Sequence, residues 1–239
     1  MPERLSASSA ARHLACHASA NLDLAIPGWI PPVEDRTVDN AANRGTAKHK
    51  LIEPIMELTP GELLQFSRYL QYIGELRKTR RFKVLIEAEV QATWLTTQPK
   101  TTADLVLYTQ DEIHVLDGKW GKIPVEVIDN KQLMYYAVCF APLAPKAKGV
   151  TLHVLQPALG DDGYNSWFVD TNQLKQFMAE VQAAERAIQA GDTTFGPSDE
   201  CKFCPAFPHA RGLKGKPLCP VTMQLLYPGV VDEDAILAL

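Results

Sequence analysis

The sequence predicts a mixed α/β fold in which helices flank a central sheet. A meander of three strand-like runs occupies the middle of the chain. Helix-periodic segments precede and follow it, and a further strand–strand–helix series comes after. A Cys-, Pro- and Gly-rich tail closes the sequence. No linker-like or repetitive stretch divides it, so one domain over 1–239 is expected, with a core at about 45–190.

Taken in order, residues 22–44 read as irregular. "RGTAKHKLIEPIMEL" reads as a helix with Thr46 as N-cap. A second helix opens at "TPGE", where Thr59 and Glu62 have capping-box spacing and Pro60 takes the first helical position. It continues through "LLQFSRYLQYIGELRKTRR". "FKVLIEAEVQATWL", "TADLVLYT" and "EIHVLDGK" read as strands, and the polar "QDE" between the last two marks a hairpin. "NKQLMYYAVCFAPLA" reads as a helix stopped by Pro142 and Pro145. "GVTLHVLQP" and "YNSWFVD" are two more strands. "TNQLKQFMAEVQAAERAIQAG" is a helix ending at Gly191, and the tail from Phe195 is irregular.

The composition is that of a globular chain, 46% hydrophobic and 22% charged, with a net charge of −4. No run has the roughly 18 apolar residues of a membrane span. The N-terminus lacks the apolar core of a signal peptide, so a cytoplasmic protein is the expectation. An acidic chain that binds nucleic acid must do so through local basic patches. Two runs qualify: Arg77, Lys78, Arg80, Arg81 and Lys83 in "LRKTRRFK", and His209, Arg211, Lys214 and Lys216 in "PHARGLKGKP".

The hairpin carries the chemistry. Asp104 lies in its first strand and Asp117 in its second, so the turn lets the two carboxylates meet at one end of the sheet. Two carboxylates are the usual protein share of a Mg²⁺ or Mn²⁺ site, completed by water and substrate phosphates. Lys119 shares a strand face with Asp117. From there it can orient an attacking water and stabilise charge on a phosphate. His49 and Glu53 fall one turn apart on one helix, as do Gln132 and Tyr136 on another.

Five cysteines in a cytosolic chain argue against a disulfide framework. Cys139 sits in the apolar run "YYAVCFAPL" and reads as a buried thiol. Cys201 and Cys204 form a C-x2-C chelating unit, with Cys219 following. A fourth ligand is Cys16 or, in a local Cys3His zinc site, His209. The metal-cluster elements therefore lie around residue 16 and at 195–222.

Gly45-Thr46-x-x-His49, Ala-Asp104, Val-x-Asp117-x-Lys119-x-Gly and Gln132-x-x-x-Tyr136 occur in that order. The series resembles the RecB-type nuclease motifs of the PD-(D/E)XK superfamily. "LSASSAARHLACHASANL", "QLMYYA", "LHVLQPALG" and "ECKFCPA" are similar to a phage and prophage family of RecB-like nucleases, over nearly the whole chain. The resemblance implies a restriction-endonuclease-like core that cuts DNA, as an exonuclease or endonuclease, with Mg²⁺ or Mn²⁺. It implies Asp104, Asp117 and His49 as metal ligands, Lys119 as catalytic lysine, and Gln132 and Tyr136 as positioning residues. Glu87 or Glu89 on the preceding strand is a possible addition. One N-terminal and three C-terminal cysteines are the layout of iron–sulfur nucleases of the CRISPR-adaptation and AddB types. That implies a [4Fe–4S] cluster on Cys16, Cys201, Cys204 and Cys219, with zinc as the alternative. DNA and a phage recombination protein are the partners implied. The competing readings are a catalytically inactive DNA-end-binding protein and a structural zinc or iron–sulfur protein.

Overall fold

The computed structural model describes residues 5–26, 29, 60–207 and 219–221. In chain order the elements are helices α1 (Ala10–Ala15), α2 (Leu22–Ala25) and α3 (Pro60–Thr79), then strands β1 (Lys83–Gln91), β2 (Lys100–Tyr108) and β3 (Ile113–Gly118). Helix α4 (Lys131–Phe140), strands β4 (Gly149–Leu155) and β5 (Tyr164–Asp170) and helix α5 (Thr171–Gln189) follow. The mixed α/β class is as expected. The helix expected around Thr46, and the cap residue Thr59, lie outside the described residues. No helix among the described residues is long and apolar enough to cross a membrane.

Contacts group the chain into two compact units, each built from non-consecutive segments. One comprises Asp35–Thr93 and Lys100–Met178. The other comprises Met1–Glu34, Trp94–Pro99 and Ala179–Leu239.

The first of these holds the sheet, ordered β1-β2-β3-β4-β5. The β1–β2, β2–β3 and β4–β5 pairs are antiparallel, and β3–β4 is parallel. A parallel neighbour needs a crossover, and α4 lies within it. All six residues of β3 are buried, as befits a central strand covered on both faces. On one face, Tyr69, Tyr72, Ile73 and Leu76 of α3 pack on Phe82, Leu105, Leu107, Leu116 and Leu155. Their i, i+3, i+4, i+7 spacing makes one apolar stripe. A polar chain runs through this layer. Glu112 Oε1 meets His114 Nε2 at 2.9 Å, His114 Nδ1 meets His153 Nε2 at 2.9 Å, and His153 Nδ1 meets the Tyr72 hydroxyl at 3.2 Å.

Helix α4 packs on β3 and β4 and buries Leu133, Tyr136, Ala137 and Phe140. Asn130 caps it, its side chain accepting from the Leu133 N–H at 3.1 Å. Cys139, expected to be buried, is only half-buried.

The second unit gathers α1, α2, residues 94–99, the C-terminal half of α5 and the cysteine tail. The strand-like reading of "FKVLIEAEVQATWL" ran too far, because β1 stops at Gln91. Beyond it, the buried Glu185 carboxylate accepts from the Thr96 N–H at 2.9 Å, the Thr97 N–H at 2.8 Å and the Thr97 hydroxyl at 2.6 Å. Gln182 donates to the Trp94 carbonyl at 2.9 Å. Side chains thus take backbone groups that a longer ladder would have used. Residues 22–25, expected to be irregular, make a helical turn because Leu22 and Ile26 pack on Ala206. The tail carries a 3-10 turn at Asp199–Phe203. Gly191, at φ +83°, ends α5 as expected.

Candidate active site and cysteine pocket

Asp104 and Asp117 reach one end of the sheet from adjacent antiparallel strands. Leu105 pairs with Leu116, so one step further on the two acids stand opposite each other on one face. Asp104 Oδ2 accepts the Gly118 N–H at 2.7 Å. Asp117 is only 3% exposed. Lys119 Nζ lies 2.6 Å from its Oδ2. That oxygen has no aligned hydrogen-bond donor, so the contact is an ion pair rather than a directed hydrogen bond. Lys119 Nζ also donates to Gln132 Oε1 at 3.1 Å, and Gln132 Nε2 donates to the Tyr136 hydroxyl at 3.0 Å. The amide orientation follows from these partners, oxygen toward ammonium and nitrogen toward phenol. Four of the residues expected at the site therefore form one connected line, with Asp104 beside it.

Two phenols feel the negative charge of the acids. Tyr136 is pushed up to about 12, first by burial and then by the charges of Asp117 and Asp104, against opposing hydrogen bonds from Gln132 and Thr101. Tyr69 on α3 is raised well above the ordinary phenol range, by burial first and then by Asp104, Asp117 and Glu87. Both phenols therefore keep their protons and sense the same carboxylates. Hard carboxylate oxygens in a negative recess suit Mg²⁺ or Mn²⁺. Gly118 lies beside both Asp104 and Tyr69. A Cβ there would stand 3.4 Å from both Asp104 Oδ2 and a Tyr69 ring carbon.

Sequence alone did not separate Glu87 from Glu89, and the geometry does. Both are exposed, but Glu89 is held by Lys100 at 2.8 Å. Glu87 stands opposite Asp104, between the Ile86–Leu105 and Ala88–Ala103 pairs. Its φ of +46° is left-handed, a conformation costing of order 1–3 kcal/mol for a non-glycine residue and concentrated at functional sites.

Tyr69 and Trp120, whose rings lie 5.7 Å apart at 39°, were not picked out by sequence reasoning. His49 and Glu53 lie outside the described residues, as do His209, Arg211, Lys214 and Lys216. The other basic run is exposed, but Lys78 pairs with Glu75 at 2.6 Å, and Arg80 pairs with Asp111 at 2.9 Å and Glu112 at 3.3 Å. Lys83 Nζ lies over the Tyr108 ring, 5.8 Å from its centroid.

In the other unit, Cys16, Cys201, Cys204 and Cys219 line one pocket. The C-x2-C pair sits in a tight turn, with the Cys204 N–H on the Cys201 carbonyl at 3.0 Å and the Phe207 N–H on the Cys204 carbonyl at 2.9 Å. Gly196 brings the tail against α1, since a Cβ there would run into the Ala15 carbonyl next to Cys16. Burial pushes the Cys204 thiol up, and all five cysteines are free thiols. The donor set suits a soft or borderline metal, and Cys16 lines the pocket together with the three C-terminal sulfurs. Among the described residues, no three His, Cys, Asp or Glu side chains stand close enough together to form a ready-made metal cage.

Residues 62–234, well over half of the chain, match a family described as "Protein of unknown function (DUF2800)". The chain belongs to that DUF2800 family.

Proposed function

We propose that this chain is a Mg²⁺- or Mn²⁺-dependent deoxyribonuclease of the RecB-like, PD-(D/E)XK kind. It hydrolyses phosphodiester bonds, as an exonuclease, in the processing or recombination of phage or host DNA. The observation that carries the reading is the line Asp117–Lys119–Gln132–Tyr136 with Asp104 opposite. A surface ion pair has no need of a buried acid, a helix-borne amide and a phenol behind it.

Asp104 and Asp117 would hold a divalent ion, which when bound would supply an acidified water and offset charge on the phosphate. The other roles belong to this chain's own groups. The Lys119 Nζ lies between Asp117 and Gln132, from where it can donate to a phosphate oxygen as charge builds. Gln132 fixes that ammonium through Oε1, and Tyr136 fixes Gln132. Glu87 adds negative charge opposite Asp104. Cys16, Cys201, Cys204 and Cys219 hold a [4Fe–4S] cluster or zinc as a structural staple.

The test is cleavage of end-labelled linear DNA with Mg²⁺, with Mn²⁺ and with EDTA. Wild type should cut only with metal. Asp117→Ala and Lys119→Ala should lose at least about 100-fold in rate, the scale of a deleted charge-stabilising group. Wild-type rates in either folded variant, or a wild type inert in both metals, would overturn the assignment.

A further inference from the structure

We infer that Arg12 is the built-in counter-cation of the cysteine pocket and a positioning residue for a metal centre of net negative charge. This rests on the reading that the four cysteines hold metal.

Arg12 lines the pocket with the four cysteines, and the other lining residues, Ser19, Phe195, Gly196, Ser198 and Val221, are neutral. It is 8% exposed. It sits one helical turn before Cys16, whose N–H bonds the Arg12 carbonyl at 2.9 Å, so backbone geometry couples the two residues. Its Nη2 lies 3.3 Å from Nε2 of the fully buried His13, which helps to hold the guanidinium in place.

A guanidinium does not lose its proton in a protein. Four thiolates around Zn²⁺ or a [4Fe–4S]²⁺ cluster carry a net charge of about −2. A fixed cation beside such a centre lowers the cost of burying it. It also favours the more negative, reduced form of a cluster, because local charge is one of the levers on cluster potential. This role depends on charge more than on shape, so lysine should largely replace arginine, and glutamine or methionine should not.

The experiment uses anaerobically purified full-length wild type, Arg12→Lys, Arg12→Gln and Arg12→Met, each with its fold checked by circular dichroism. Iron and zinc are counted per chain, release to a chelator is timed, and any iron centre is titrated for its midpoint potential. Arg12→Gln and Arg12→Met should lose metal roughly 10- to 100-fold more readily, the scale of a lost supporting contact. Their potential should move to more negative values, and Arg12→Lys should stay near wild type. Metal-loaded Arg12→Gln or Arg12→Met with wild-type release and potential overturns the inference alone. The methionine variant keeps an apolar stem in the site, so a glutamine variant that fails to fold does not block the test. A folded wild type that takes up neither iron nor zinc overturns the metal reading, and this inference with it.

Discussion

Acidification from pH 7 to pH 5 should cost this protein stability through one histidine, His153. Its side chain is buried between His114 and Tyr72. Burial, and next the neighbouring His114, push its pKa down to about 3. An exposed histidine titrates near 6.5. The sign follows from the depression: the unfolded chain takes up the proton below about 6.5 and the folded chain refuses it. The stabilisation is complete above about 6.5 and is lost as pH falls toward 3. At pH 5 the two values differ by an RT ln ratio of about 2 kcal/mol, a large share of a typical 5–15 kcal/mol stability. Urea unfolding at both pH values, on wild type and His153→Gln, isolates this contribution, because the variant retains His114, Glu112 and every other titrating group. Wild type should lose about 2 kcal/mol more than the variant between pH 7 and pH 5. Equal losses in the two proteins would refute the buried neutral imidazole.

Two further substitutions probe the unit that carries the cysteines. Glu185→Gln places an amide donor against the Thr96 and Thr97 N–H groups and should cost about 1–3 kcal/mol, read as a lower thermal midpoint; an unchanged midpoint would mean that those contacts are not made in solution. Gly196→Ala drives a methyl into the Ala15 carbonyl and should part Cys16 from the other three cysteines, so that metal bound per chain falls. Full metal content in that variant would remove Cys16 from the site.

The hairpin acids could be read from sequence because both rules involved are local. A short turn fixes antiparallel register, and Lys119, just past the end of β3, stays within reach of Asp117 two residues before it. Gln132 and Tyr136 were legible for the same reason, at i and i+4 of one helix. Tyr69 was not, since its place in the Tyr69–Tyr72–Ile73–Leu76 stripe is that of any core aromatic, and only the tertiary fold turns its hydroxyl toward the acids. His114 and His153 meet across the parallel β3–β4 pair, whose register no turn fixes. Glu87 differs from Glu89 only through a left-handed backbone that its residue type does not announce. The break after Gln91 was hidden because "TWL" continues the β-rich composition, and what captures the following residues is Glu185, far along the chain.

The unit that carries the cysteines also sets an order of events during synthesis. Its stitches are among the longest-range in the chain. Cys16 reaches Thr194 across 178 residues, His17 reaches Asp192 across 175, and Asn21 reaches Ile188 across 167. A ribosome delivers residues 5–26 long before their partners at 188–194, so α1 must wait while the sheet, whose strands lie between them in sequence, forms without it. Contacts of such high order are slow to close, and each withheld surface is exposed to aggregation in the meantime. Any metal captured by Cys16, Cys201, Cys204 and Cys219 can be loaded only after Cys219 has emerged. Its presence would therefore record that the segments carrying Cys16 and Cys219 had both been made and brought together.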